Sequence, residues 1–112
     1  MFIAMNRFKV VKGQETAFET VWSSRKTRLD EMEGFIGFHL LKGPERDDHM
    51  LYSSHTTWAS KEQFTAWTHS EQFRESHKGA GGHHGLYLGH PEFEGFESVL
   101  GEAMPTRQTE AA

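Results

Sequence analysis

At 112 residues, with a formal charge of -4 and no cysteine, the chain makes a single domain. It excludes disulfides, thiolate nucleophiles, iron–sulfur clusters and cysteine-based zinc sites. No basic run offsets the acidic balance, which argues against a nucleic-acid partner, and no apolar run reaches the length a bilayer requires, so no membrane partner is expected. Met1–Met5 is too short, and too poor in leading positive charge, for a secretory leader, so a cytoplasmic location is expected. Nine Phe, three Trp, two Tyr and eight His suit a flat aromatic ligand carrying a metal, and suit a plain aromatic core equally well.

Phe2–Val11 is rich in apolar residues and bounded by Lys12-Gly13, which predicts a strand. Phe18, Trp22, Arg25, Leu29 and Met32 recur at four- and three-residue steps, which predicts one helix over Gln14–Met32, ended by Gly34. Phe35–Leu41 predicts a second strand, the polar run Gly43–Asp48 a turn, and Met50–Trp58 a third strand. Ser60 is a good N-cap with Gln63 at the capping-box position. Ser70-Glu71 reads as a second start signal, so a bend is expected at Thr68–Ser70. Phe73 and His77 then share a face, and Gly79 is placed as the C-cap. Residues 79–92 are glycine-rich and read as loop. Phe93–Leu100 predicts the last strand. The order βαββαβ predicts an α+β, ferredoxin-like domain over residues 1–101, an antiparallel four-stranded sheet with both helices on one face. Residues 102–112 form a polar tail.

In the first strand Phe2, Ala4, Asn6, Phe8 and Val10 point one way, and Ile3, Met5, Arg7, Lys9 and Val11 the other. The second strand is apolar on both faces. Helices cover only one face of a sheet, and so broad an apolar second face should not stay wet. The simplest cover is the same face of a second copy, which predicts a homodimer closed as a two-sheet α+β barrel.

Three residues stand out against this frame, each with an ordinary explanation. Asn6 is a polar amide in an inward-facing apolar set, at a cost of about 1–3 kcal/mol if it lacks a partner, although backbone in a neighbouring strand would satisfy it. Trp67, in step with Phe64, reads as core packing. His77 lies near a helix C-terminus, where the dipole favours its cation. Arg25 interrupts the buried helix face and would ordinarily extend its head group to solvent. In a straight helix the ten residues from Trp67 to His77 would span about 15 Å; a bend near Ser70 would fold both around one ligand.

The segments FIAMNRFKVVKGQETAFE, GFIGFHLLKGP, TTWASKEQFTAWTHSEQFRESH and FEGFESVL resemble the haem-degrading monooxygenases of the IsdG type, a branch of the antibiotic-biosynthesis-monooxygenase group. The resemblance implies a haem oxygenase in which haem b is both cofactor and substrate. His77 would bind the iron, Asn6 would donate a hydrogen bond to the iron-bound dioxygen, and Trp67 would press the porphyrin out of plane, one of the few levers a protein has on haem. At Arg25 it implies a propionate contact. Phe8, Phe64, Phe73 and the Gly34–Phe38 segment would line the pocket or its floor. The ring would open and iron would leave with a linear tetrapyrrole. The chain carries no nicotinamide fingerprint, so electrons would come from a partner reductase or a small reductant. No phosphate loop, nucleophile elbow or HExxH motif is present.

The run Gly79–Gly85 departs from the family pattern with four glycines and two histidines. It reads as a mobile lid. His83 and His84 are rivals to His77 as axial ligand, and with His90 they resemble a metal clip that no residue at firm ligand spacing completes. Two other readings remain open on the same fold: a cofactor-independent oxygenase of polyketide quinols, and a non-enzymatic haem carrier.

Overall fold

β1 (Phe2–Val10) pairs antiparallel with β3 (Met50–Trp58) on one side and with β4 (Tyr87–Glu97) on the other. β2 (Phe35–Glu45) adds antiparallel to the far edge of β3, so the sheet order is β2-β3-β1-β4. Helix α1 (Glu15–Ser24), a short 3-10 turn (Leu29–Glu31), α2 (Lys61–Thr68) and α3 (Glu71–Ser76) complete the chain. This is the ferredoxin-like α+β architecture read from the sequence. The computed structural model describes residues 1–25, 27–77 and 85–102. Among these, no helix is long and apolar enough to cross a membrane. The Gly79 cap, His83, His84 and the tail beyond residue 102 lie outside them.

The alternation of β1 sets the core. Phe2 and Ala4 pack with Leu29, Trp58 and Trp67, and Phe8 and Val10 pack with Phe18 and Tyr52. The Tyr52 hydroxyl donates to the Glu19 carboxylate and ties α1 to β3. The other face of the sheet carries Leu41, Leu88 and Phe96, exposed by 41, 40 and 50 %.

The helix expected over Gln14–Met32 ends at Ser24. The Ser23 and Ser24 hydroxyls both donate back to the Thr20 carbonyl, at 3.1 and 2.8 Å, and such local bonds compete with the helical ladder. Arg25 is extended (ψ 134°) and Arg28 is left-handed (φ 55°). The Leu29 N–H donates to Thr27 Oγ1 at 3.3 Å as the 3-10 turn begins. Leu29 still reaches the core, so the apolar periodicity survived while the helix did not.

Two strands are also longer than expected. β2 runs through Gly43-Pro44-Glu45, with an irregular register after Lys42. β4 takes in residues 87–92, expected as loop, with a register shift opposite Arg7–Lys9, and it stops at Glu97 rather than Leu100. Pro44 and Pro91 sit on the two edge strands, where a missing N–H costs the ladder little.

The bend before α3 is as expected. The Gln63 N–H donates to Ser60 Oγ at 3.1 Å, and the Phe73 N–H donates to Ser70 Oγ at 3.0 Å. Gly34 links the 3-10 turn to β2 at φ +87°, and a Cβ there would run into the Gln63 side chain. Gly34→Ala is therefore expected to lower stability by more than about 1 kcal/mol, read as a fall in the urea midpoint at unchanged slope.

Candidate functional site

A cavity of about 190 Å³ opens between the helix-side face of the sheet and the segments that cross it. Asn6 reaches it from β1, Arg25 from the break after α1, Phe64 and Trp67 from α2, and Phe73 and His77 from α3 and its C-terminus. Six of the seven residues singled out from sequence thus share one cavity. Phe8 is the exception and corrects the expectation. It lies one alternation further along β1, with its ring 5.2 Å from Phe18 and 5.2 Å from Tyr87, and it is buried in the neighbouring cluster. Of the Gly34–Phe38 segment, only Phe38 lines the cavity.

The bend between α2 and α3 brings the Trp67 and His77 rings to 6.4 Å between centroids. Phe73 stands edge-on to Trp67 at 5.2 Å and stacks on His77 at 4.1 Å. His77 Nδ1 lies 2.8 Å from the Phe73 carbonyl and 3.0 Å from Ser76 Oγ. A carbonyl only accepts, so Nδ1 carries the proton and Nε2 keeps its lone pair. Burial pushes the His77 pKa down, the bond to Phe73 raises it, and the positive Arg25 lowers it. The lowered pKa keeps the ring neutral at neutral pH, with Nε2 available as a ligand. Metal-binding histidines are commonly oriented by a backbone carbonyl in this way.

Arg25 lies 4.3 Å above the Trp22 ring, and Trp22 stacks on Phe38 at 5.8 Å. Burial lowers the Arg25 pKa, yet a guanidinium stays charged throughout. Among the described residues no carboxylate pairs with it. Asn6 is half-buried, and its side chain makes no hydrogen bond to any described residue, so the backbone partner that would have explained it is not there.

Sequence reasoning passed over Trp22, Ser54, Thr56 and Phe93, which also line the cavity. Ser54 and Thr56 alternate with the buried Tyr52 and Trp58 on one face of β3, a pattern legible once β3 was assigned. Phe93 pairs with Asn6 across β1–β4 and stacks on Phe64 at 5.7 Å. His90 sits on β4 in a separate depression beside Arg7 and His49. Among the described residues no group of three or more histidines and carboxylates is poised for a metal ion.

A haem fits this donor set. One neutral imidazole offers a single nitrogen, aromatic faces flank it, an amide has unused donors, and an unpaired guanidinium can meet a carboxylate. The cavity is smaller than the ~300–1,000 Å³ usual for ligand sites, so a porphyrin would fill it and extend through its mouth.

Residues 1–79 match the model of the family described as antibiotic biosynthesis monooxygenase. A heme-degrading monooxygenase of Bacillus mycoides is 30 % identical over 83 residues, which cover 73 % of this chain and 76 % of that protein. The fold superposes on the heme-degrader MhuD of Mycobacterium tuberculosis, determined with two hemes in its active site. The TM-score is 0.64 at 24 % identity, over 92 % of this chain and all of that one. It also superposes on SnoaB, a cofactor-independent oxygenase of Streptomyces nogalater, with a TM-score of 0.63 at 23 % identity over 89 % of this chain and 94 % of that one. The chain belongs to the antibiotic biosynthesis monooxygenase family.

Proposed function

We propose that this protein is a haem-degrading monooxygenase of the IsdG type, with haem as both cofactor and substrate. The observation that carries the reading is the convergence of His77, Asn6 and Trp67 on one cavity, with the imidazole tautomer fixed by the Phe73 carbonyl. The 30 % identical relative named for heme degradation supports it.

Bound haem supplies an iron centre for dioxygen activation and the ring that is oxidised. The chain's own residues do the rest. His77 would hold the metal through Nε2, the ring nitrogen left without a proton. Phe73 and Ser76 fix that ring's orientation through Nδ1. Trp67 and Phe64 form apolar walls that restrict water and confine the macrocycle. Arg25 faces the cavity with a positive charge suited to a propionate. Asn6 presents N–H donors from the sheet side to a small acceptor. External electrons complete the reaction, and the sheet's open apolar face is assigned to a second copy.

Asn6→Ala is the direct test. The variant should take up haemin with a Soret band like the unmodified protein's. With ascorbate and air it should lose haem absorbance at least ten times more slowly, since one removed donor of this kind is worth about 10²–10³ where it meets developing charge. Turnover at the unmodified rate would remove Asn6 from the mechanism, and haem bound without any decay in the parent protein would identify a carrier.

The modest cavity volume favours one competing reading, a cofactor-independent oxygenase acting on an aromatic quinol. Such a protein would give no stoichiometric spectral complex with haemin.

A further inference from the structure

Asn6 has a neighbour on the cavity floor that the proposed chemistry has not used. Ser54 on β3 is its direct cross-strand partner, so both side chains leave the same face, with Cβ atoms about 4.5–5.5 Å apart. Both line the cavity.

The helix-side face of β3 reads Tyr52, Ser54, Thr56, Trp58. The two outer residues are 1 and 0 % exposed and fill their space. The two inner ones are small and polar, and they leave the volume the cavity occupies. A hydroxyl on a core face is costly without a partner. Thr56 Oγ1 lies 3.4 Å from the Ala4 carbonyl, and the Ser53 hydroxyl, on the opposite face, donates to the Ser54 carbonyl at 3.0 Å. The Ser54 hydroxyl itself bonds to no described residue. It is also absent from the polar atoms sealed off without a partner, which among the described residues are His55 Nδ1 and Trp58 Nε1. It therefore faces the cavity with its donor unspent.

We infer that Ser54 is a second hydrogen-bond donor to the small ligand that Asn6 meets on the sheet side of the haem. The inference rests on the haem reading above and adds a residue to it. Two donors from adjacent strands hold an acceptor in a defined direction, where a single amide leaves it free to swing. Ser54 thereby helps decide which edge of the ring faces that ligand.

The test uses the full chain loaded with ferric haemin and fluoride ion as probe, because fluoride accepts hydrogen bonds and donates none. Ser54→Ala should take up haemin with unchanged affinity and Soret position, yet bind fluoride about fivefold more weakly or worse, the usual loss for one hydrogen bond. Ser54→Thr keeps the hydroxyl and should restore fluoride binding. Thr57→Ala, on the opposite face of β3, should leave it unchanged. Fluoride affinity unaltered in a haemin-loaded Ser54→Ala protein overturns the role of Ser54 and leaves the haem reading standing. Absence of any haemin complex in the parent protein overturns the haem reading, and this inference with it.

Discussion

Replacing His77 with alanine is expected to abolish the Soret shift that haemin produces with the unmodified chain. Among the described residues, His77 is the only histidine that lines the cavity. Its loss should weaken haemin binding beyond the 10–100-fold typical of losing a residue that merely supports a ligand. The fold should survive. His77 caps α3 with its backbone N–H, which alanine retains, and its ring lies at the cavity rim, outside the two buried clusters. Losing its stack on Phe73 and its hydrogen bond to the Phe73 carbonyl is expected to cost about 1 kcal/mol. Free imidazole should restore part of the Soret band by entering the vacated space beside Phe73. A His77→Ala protein that keeps the parent spectrum would transfer the ligand role to another residue, with His83 and His84 the first to be replaced.

The sequence carried the α2–α3 bend because its signals are local. Ser60 and Ser70 each cap the helix that follows, and each was recognisable from residues within one turn. The same locality made the first strand of the core legible, because Phe2, Ala4, Phe8 and Val10 alternate along it with only Asn6 between them on that face. The end of α1 was not legible. Its apolar spacing continues through Leu29, and the break comes from serine hydroxyls competing for the Thr20 carbonyl. That break lets Arg25 and Thr27 line the cavity.

The start of β4 was hidden by Gly89 and Pro91, which read as loop residues and are tolerated here on an edge strand. Phe93 was consequently placed at a strand's first residue, where its opposition to Asn6 could not be seen. Phe8 shows the limit of counting in twos. Asn6 and Phe8 share a face, but two residues along β1 carry the chain from the cavity into the cluster around Phe18. Periodicity assigns a face; only the elements crossing that face decide which part of it stays open.

Trp67 belongs to the core and also lines the cavity, and its replacement should separate packing from the proposed site role. The indole is 6 % exposed and belongs to the cluster of Phe2, Ala4, Leu29 and Trp58. Its ring centroid lies 6.2 Å from that of Trp58 and 5.2 Å from that of Phe73. Truncation to alanine is expected to cost about 3–5 kcal/mol, a large share of the ~5–15 kcal/mol that holds a domain together. Urea unfolding should show the loss directly, and a cost below ~1 kcal/mol would mean that the indole is not part of the core. Trp67→Phe keeps an aromatic ring against Trp58 and Phe73 and should lose much less. That variant isolates the second role. It should remain folded and bind haemin, yet press less on the macrocycle, because a phenyl ring is smaller than an indole and distortion of the ring is set by contact. Slower haem loss under ascorbate, at unchanged haemin affinity, is the expected signature. An unchanged rate would leave Trp67 with packing alone and place the control of ring geometry on Phe64 and Phe73.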